Sequence, residues 1–129
     1  MRLVNREQFL LLPPNTLFMK YAPFWTEDLA IKDENSSSND FIYSDIVGTG
    51  AIDTDVVELV TSDHEYIHLA MLAMGEGKPT GTVSFKIDMT SANRDGCYDN
   101  AQLFIVYEQE DIDMLVAKLQ TAVGVKFNP

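Results

Sequence analysis

Residues 82–89 (TVSFKIDM) alternate strictly, with Val83, Phe85, Ile87 and Met89 on one side and Ser84, Lys86 and Asp88 on the other. A period of two marks a strand with one face on a core and one face in water. Such a strand cannot bury its apolar face alone, so the chain must build a sheet with a second layer against it. Other short apolar segments fit the same plan. Residues 16–21 (TLFMKY) read as a strand, with Lys20 interrupting the apolar set on the exposed face, and residues 29–32 (LAIK) as another. Residues 103–107 (LFIVY) are almost continuously apolar, which suits a central strand. Residues 41–47 fit a strand or a short helix. Between them, 33–40 (DENSSSND) is polar and serine-rich, as a hairpin tip or loop would be. Asn93-Arg94-Asp95-Gly96 reads as a tight turn.

Helical signals frame these strands. Asn5-Arg6-Glu7-Gln8 has the form of a capping box, and Pro13-Pro14 must end the helix that follows it. Residues 53–74 read as mostly helical, with Ile67, Ala70, Met71 and Met74 on one face and Gly75, Gly77 and Pro79 as the stop. The last helix is the clearest. Glu108, Glu110, Asp111 and Asp113 crowd its first turns, where the helix dipole favours negative charge. Ile112, Leu115, Val116, Leu119 and Val123 form a stripe, Lys118 sits near the end, and Gly124 can cap it. The order of elements predicts an α+β fold, a mainly antiparallel sheet of about four or five strands with two or three helices packed on it. At 129 residues the chain is the size of one domain, and nothing in it marks a boundary.

Charge then narrows the partners. Nine Lys and Arg face twenty Asp and Glu, a formal net charge of -11. Such a field repels phosphate backbones and anionic membranes and attracts basic proteins. Direct nucleic-acid binding is therefore not expected. A single cysteine, Cys97, excludes an intramolecular disulfide and four-cysteine zinc sites. No apolar run approaches a membrane span. The cysteine usage and the missing signal pattern lead us to expect a cytoplasmic protein.

Two stretches carry a resemblance. NREQFLLLPPNTLFMKY near the start and NRDGCYDNAQLFIVYEQEDIDMLVAKL near the end resemble a group of small, acidic phage-encoded proteins. Those show an R-E-E-F-L-x-L-P-x-G-T-L-F-x-K-Y opening and a G-R-D-G-C-F-D-x-x-Q-L-F segment followed by a helix. The similarity spans about half the chain, at its two ends. The chain departs at Asn15 and Asn93, where glycine is usual, and more widely in the middle. The resemblance implies a phage or prophage accessory protein made in a bacterial cytoplasm. It brings no activity with it.

One motif points to chemistry. His64-Glu65-Tyr66-Ile67-His68 reads H-E-x-x-H. On a helix, His64 and His68 would stack and could chelate one zinc ion, with Glu65 as the base that activates a bound water. The chain has no further histidine, so the third ligand must be a carboxylate, Asp111 or Glu110. Asp63 stands where a neutral residue is usual, and the resembled group lacks the paired histidines. The competing reading is two partly exposed histidines on an acidic helix.

The remaining candidates concern binding. Asp53, Asp55, Glu58, Asp63 and Glu65 form one acidic region and Glu108 to Asp113 a second. Rigid carboxylates can imitate the phosphates of a nucleic acid and occupy a basic groove. Trp25, beside Tyr21, Pro23 and Phe24, can anchor an interface or fold back over the core edge. Acidic neighbours make Cys97 a poor nucleophile and a better packing residue, and residues 95–100 (DGCYDN) lack calcium-loop spacing. The expectation is a small acidic accessory protein that binds a host protein with a basic surface stoichiometrically, inhibiting a defence or nucleic-acid-processing factor by charge mimicry. It would have no chemistry of its own and need no cofactor. A zinc-dependent hydrolase using His64, His68 and Glu65 is the alternative. A homo-oligomer stays open, including one that traps a small signalling molecule near Arg94, Lys86 and Lys78.

Overall fold

The computed structural model describes residues 1–23, 25–26, 28–47, 87 and 89–126. These form one antiparallel sheet with two helices, an α+β fold. The elements are β1 (Arg2–Asn5), α1 (Arg6–Leu10), β2 (Leu17–Ala22), β3 (Trp25–Thr26), β4 (Ala30–Ser37), β5 (Asp40–Asp45), β6 (Asn93–Arg94), β7 (Leu103–Val106) and α2 (Gln109–Leu119). The strand order is β1-β7-β2-β4-β5-β6, with β3 paired to β2 off this path. There are more strands than the expected four or five, because β1, β3 and β6 are too short to show a periodicity. β7 is interior, as its apolar run requires, and it lies between the two N-terminal strands β1 and β2. The ends of the chain are thus woven together, with Val106 opposite both Arg2 and Phe18.

The capping box forms as its sequence dictates. Asn5 Oδ1 accepts from Gln8 N at 2.8 Å and Gln8 Oε1 from Asn5 N at 3.1 Å. This satisfies donors that the helix start leaves free and turns α1 sharply off β1. The turn drops Phe9 onto the sheet. Phe9, Phe18, Phe41 and Phe104 are all at most 2% exposed. Phe9 stacks on Phe104 at 4.1 Å between ring centroids, and Phe41 meets it edge-on at 4.9 Å. Each buried Phe stabilises the fold by about 1.5–3 kcal/mol through area removed from water.

After α1 the chain reverses through Asn15, whose φ of 70° is left-handed. Asparagine tolerates that region better than other non-glycine residues. Lys32 reaches across from β4 and donates to Leu12 O at 3.1 Å and to Asp33 O at 3.1 Å, while Asn35 Nδ2 donates to Leu10 O at 2.9 Å. Asn35 thus satisfies the last carbonyl of the helix and Lys32 one just beyond it, groups that a helix end leaves unpaired.

Several expectations are corrected. The serine-rich stretch is mostly strand: β4 runs to Ser37 and β5 starts at Asp40, so only Ser38 and Asn39 form the tip. Register shifts between Lys32 and Asn35 and between Asn35 and Ser37 accommodate its polar run. Residues 41–47 resolve as strand through Asp45. Asn93 and Arg94 pair with Tyr43 and Ile42 as β6, residues 95–99 are irregular, and a turn falls only at Asn100 and Ala101. Lys20 sits on the inner face, opposite Phe104 in register. Ile87 and Met89, expected to point into the core, are 75% and 47% exposed. The last helix ends at Leu119, well short of Gly124. Of its stripe, Ile112 and Leu115 are half-buried while Val116, Leu119 and Val123 are exposed. The helix expected over 53–74 and the rest of the 82–89 strand lie outside the described residues.

Candidate interaction site

One flank of the core is ionic. Arg6, the first residue of α1, is 2% exposed. Its Nη1 donates to Asp95 Oδ2 at 2.9 Å, its Nε to Asn39 Oδ1 at 3.2 Å and its Nη2 to Asn39 O at 2.7 Å. Lys20 Nζ holds the other oxygen of Asp95. Asp40, 1% exposed, accepts from Phe41 N at 3.0 Å and Gly96 N at 2.9 Å, and its Oδ2 faces Arg94 Nε at 3.2 Å. Gly96 makes this approach with φ at 65°, a conformation that suits glycine. Burial alone would raise both aspartates. For Asp40 the Gly96 and Phe41 N–H groups, the Ser36 hydroxyl and Arg94 outweigh it, and for Asp95 Lys20 and Arg6 do, so both stay below the usual carboxylate range. Three cations thus surround two carboxylates. Sequence reasoning missed this cluster. Its only visible sign was that Arg6 and Asp95 fall in the two segments that carry the resemblance, and the fold brings these together from 89 positions apart.

The predicted acidic site divides. On α2, Glu108 accepts from Arg2 Nε at 2.6 Å, and Asp111 Oδ2 takes the Met1 ammonium at 2.6 Å and Glu108 N at 2.9 Å. The amino-terminal ammonium, then the Glu108 N–H, hold Asp111 below the usual carboxylate range. Two of the four carboxylates from Glu108 to Asp113 are therefore paired with cations of the chain itself. Glu110 is exposed, as is Asp113, which accepts from Gln109 Nε2 at 2.9 Å. Trp25 lies on β3, paired with Ala22 of β2. Asp53, Asp55, Glu58, Asp63 and Glu65 lie outside the described residues.

So do His64 and His68. Asp111, offered as a third zinc ligand, carries the amino terminus and Glu108 N on its Oδ2. Among the described residues no group of three or more His, Cys, Asp or Glu side chains is placed to hold a metal ion. Cys97 is exposed, and its Sγ donates to Asp95 O at 3.3 Å. No helix of the described residues is long and apolar enough to cross a membrane.

Comparison with protein-family models, curated proteins and solved structures gives no match to this chain. The functional reading therefore rests on the geometry and charge of the chain itself.

Proposed function

We propose that this protein is a small acidic accessory of the kind phages encode, acting by stoichiometric contact with a basic surface of a host protein. A factor that handles nucleic acid, including one used in defence, has such a surface, and a rigid array of carboxylates can occupy it in place of phosphates. The observation that carries this reading is where the fold puts its cations. Arg6 and Lys32 are buried, Lys20 is held on Asp95, and Arg2 and Arg94 are paired with Glu108 and Asp40. Glu7, Asp33, Glu34, Asp99, Glu110 and Asp113 stand exposed. Lys118 and Lys126 are exposed as well, yet among the described residues carboxylates remain in excess on the outside, and the net charge of -11 attracts a basic partner over roughly a Debye length, ~10 Å at moderate salt.

The test is affinity capture from bacterial lysate at low salt, followed by purification of the complex and measurement of its stoichiometry and salt dependence. The reading expects a fixed ratio and an affinity that falls steeply as salt rises. A complex indifferent to salt, or no capture at any ionic strength, sinks it.

A further inference from the structure

Residues 93–101 lead from β6 toward β7 and give no apolar side chain to the core. Asn93, Arg94 and residues 97–101 are exposed. Of the side chains in this segment, only that of Asp95 is fully buried. β6 is a two-residue edge strand, paired to β5 through Asn93 with Tyr43 and Arg94 with Ile42, and Asp95 N donates to Phe41 O at 3.0 Å. Beyond this short ladder the segment is pinned at two carboxylates. Asp95 sits between Arg6 of α1 and Lys20 of β2, while Asp40 of β5 accepts from Gly96 N and faces Arg94 Nε. Tyr98 holds a φ of 53°, a left-handed conformation that a bulky residue keeps only while its surroundings enforce it.

The segment and the sheet it edges are thus held by different forces. The four phenylalanines are held by area removed from water, which no proton changes. The segment is held by ionised groups, and units with few buried apolar contacts are the ones that open locally. We propose that residues 93–101 form a strap, shut by an ionic latch of Asp95 and Asp40 against Arg6, Lys20 and Arg94, and that acid opens the strap while the phenylalanine core stays folded. The trigger follows from what faces the two carboxylates among the described residues. Asp95 meets Arg6, Lys20 and Cys97 N. Asp40 meets Arg6 at 3.8 Å, Arg94, the N–H groups of Phe41 and Gly96, and the Ser36 hydroxyl. Lys20 lies 5.8 Å from the centre of the Tyr43 ring and lines one cavity with Asp28 and Asp45. The cations keep their charge in acid. A neutral Asp95 leaves Arg6 and Lys20 without the carboxylate between them, and burial then penalises both charges. Lifting the strap hydrates them. The latch needs no partner and so stands apart from the function proposed above.

The test is NMR spectroscopy of the isotopically labelled full chain, titrated from about pH 7 to about pH 2. Below the ordinary carboxylate value of about 4, the cross-strand contacts of Asn93 with Tyr43 and of Arg94 with Ile42 should vanish. The Tyr98 and Asp99 amides, which hold neither carboxylate of the latch, should then exchange about tenfold faster relative to free peptide at the same pH. At the pH where the strap opens, the contact of Phe18 with Val106 and the ring resonances of Phe9 and Phe104 should persist. Arg94→Gln removes a cation that faces Asp40, and it should move the opening to higher pH by roughly half a unit. Arg94 is 64% exposed, so this variant keeps the fold. Its shift also assigns the transition to the latch, because Asp28 and Asp45 titrating beside Lys20 would leave the midpoint where it was. Cross-strand contacts that survive to about pH 2 overturn the proposal. So does loss of the core contacts together with those of the strap, or an unmoved midpoint in Arg94→Gln.

Discussion

The two helices of the described fold invert the usual relation between length and burial. α1 has five residues, too few to persist alone in water, yet it buries Arg6 and Phe9 completely. α2 has eleven residues and buries none. The difference lies in how each joins the sheet. α1 is fixed at its start by the capping box and at its end by Asn35 on Leu10 O and Lys32 on Leu12 O just beyond, and its Phe9 packs on rings from β7, β2 and β5. α2 leaves the end of β7 and is tied by the Met1 and Arg2 ion pairs to its first residues only. One helix belongs to the core, and the other is a surface that the fold displays.

This contrast breaks first at Phe9, where the largest effect is expected. Phe9→Ala removes the ring on which Phe18, Phe41 and Phe104 all pack, and it should cost about 3–5 kcal/mol in urea-unfolding measurements. A loss under about 1 kcal/mol would mean that α1 is no more integral than α2. Arg6→Met comes next. It leaves Asp95 buried with Lys20 as its sole cation and Asn39 O without its donor, and truncating one member of a buried pair costs about 3 kcal/mol or somewhat more. The matched replacement Arg6→Met/Asp95→Leu should recover part of this, because removing both charges also removes their desolvation cost.

The sequence made α1 legible and hid its importance. Asn5 and Gln8 declare a helix start, and Pro13-Pro14 declares its end. Nothing local says that Arg6 would turn inward, because its partners Asn39 and Asp95 are far along the chain. The same limit explains Lys20. Its position in TLFMKY looks like an exposed interruption until Asp95 arrives from the far side of the sheet. α2 fails in the opposite way. Its stripe of Ile112, Leu115, Val116 and Leu119 is a clear amphipathic pattern, and periodicity reports which residues share a face without reporting what covers that face. β1, β3 and β6 were invisible because two to four residues cannot show a period of two. The predicted acidic site was legible as composition only. Which carboxylates stay outward depended on Arg2 and the amino terminus reaching Glu108 and Asp111.

Acid sharpens the comparison further. Asp40 and Asp95 have folded-state values below the ordinary carboxylate value of about 4. Their contribution is complete above that value and is lost as pH falls through it toward the folded-state values. Unfolding free energy should therefore drop between about pH 5 and pH 2. The drop should be smaller in Arg6→Met/Asp95→Leu, which retains the Asp40 and Asp111 shares. Lys32 runs the other way. Burial lowers its value, so folding favours its neutral form, and stability should rise as the pH climbs through the folded value toward the ordinary lysine value of about 10.4.

The smallest effect is the most discriminating. Leu119→Ser deletes a large apolar side chain from a helix, which in a packed helix would cost several kcal/mol. On α2 the residue is 71% exposed and the helix contributes nothing to the buried core, so the unfolding free energy should move by no more than about 0.5 kcal/mol. Serine's weaker helix propensity accounts for most of even that. The measurement separates two meanings of the same apolar stripe. A loss of 2 kcal/mol or so would show that Leu119 is covered by part of this chain, and α2 would then join α1 as a core helix. An unchanged midpoint and slope in the unfolding curve would show that the stripe is a surface feature on which the fold does not depend. In that case the chain keeps an exposed leucine on α2 from which its own fold draws no stability.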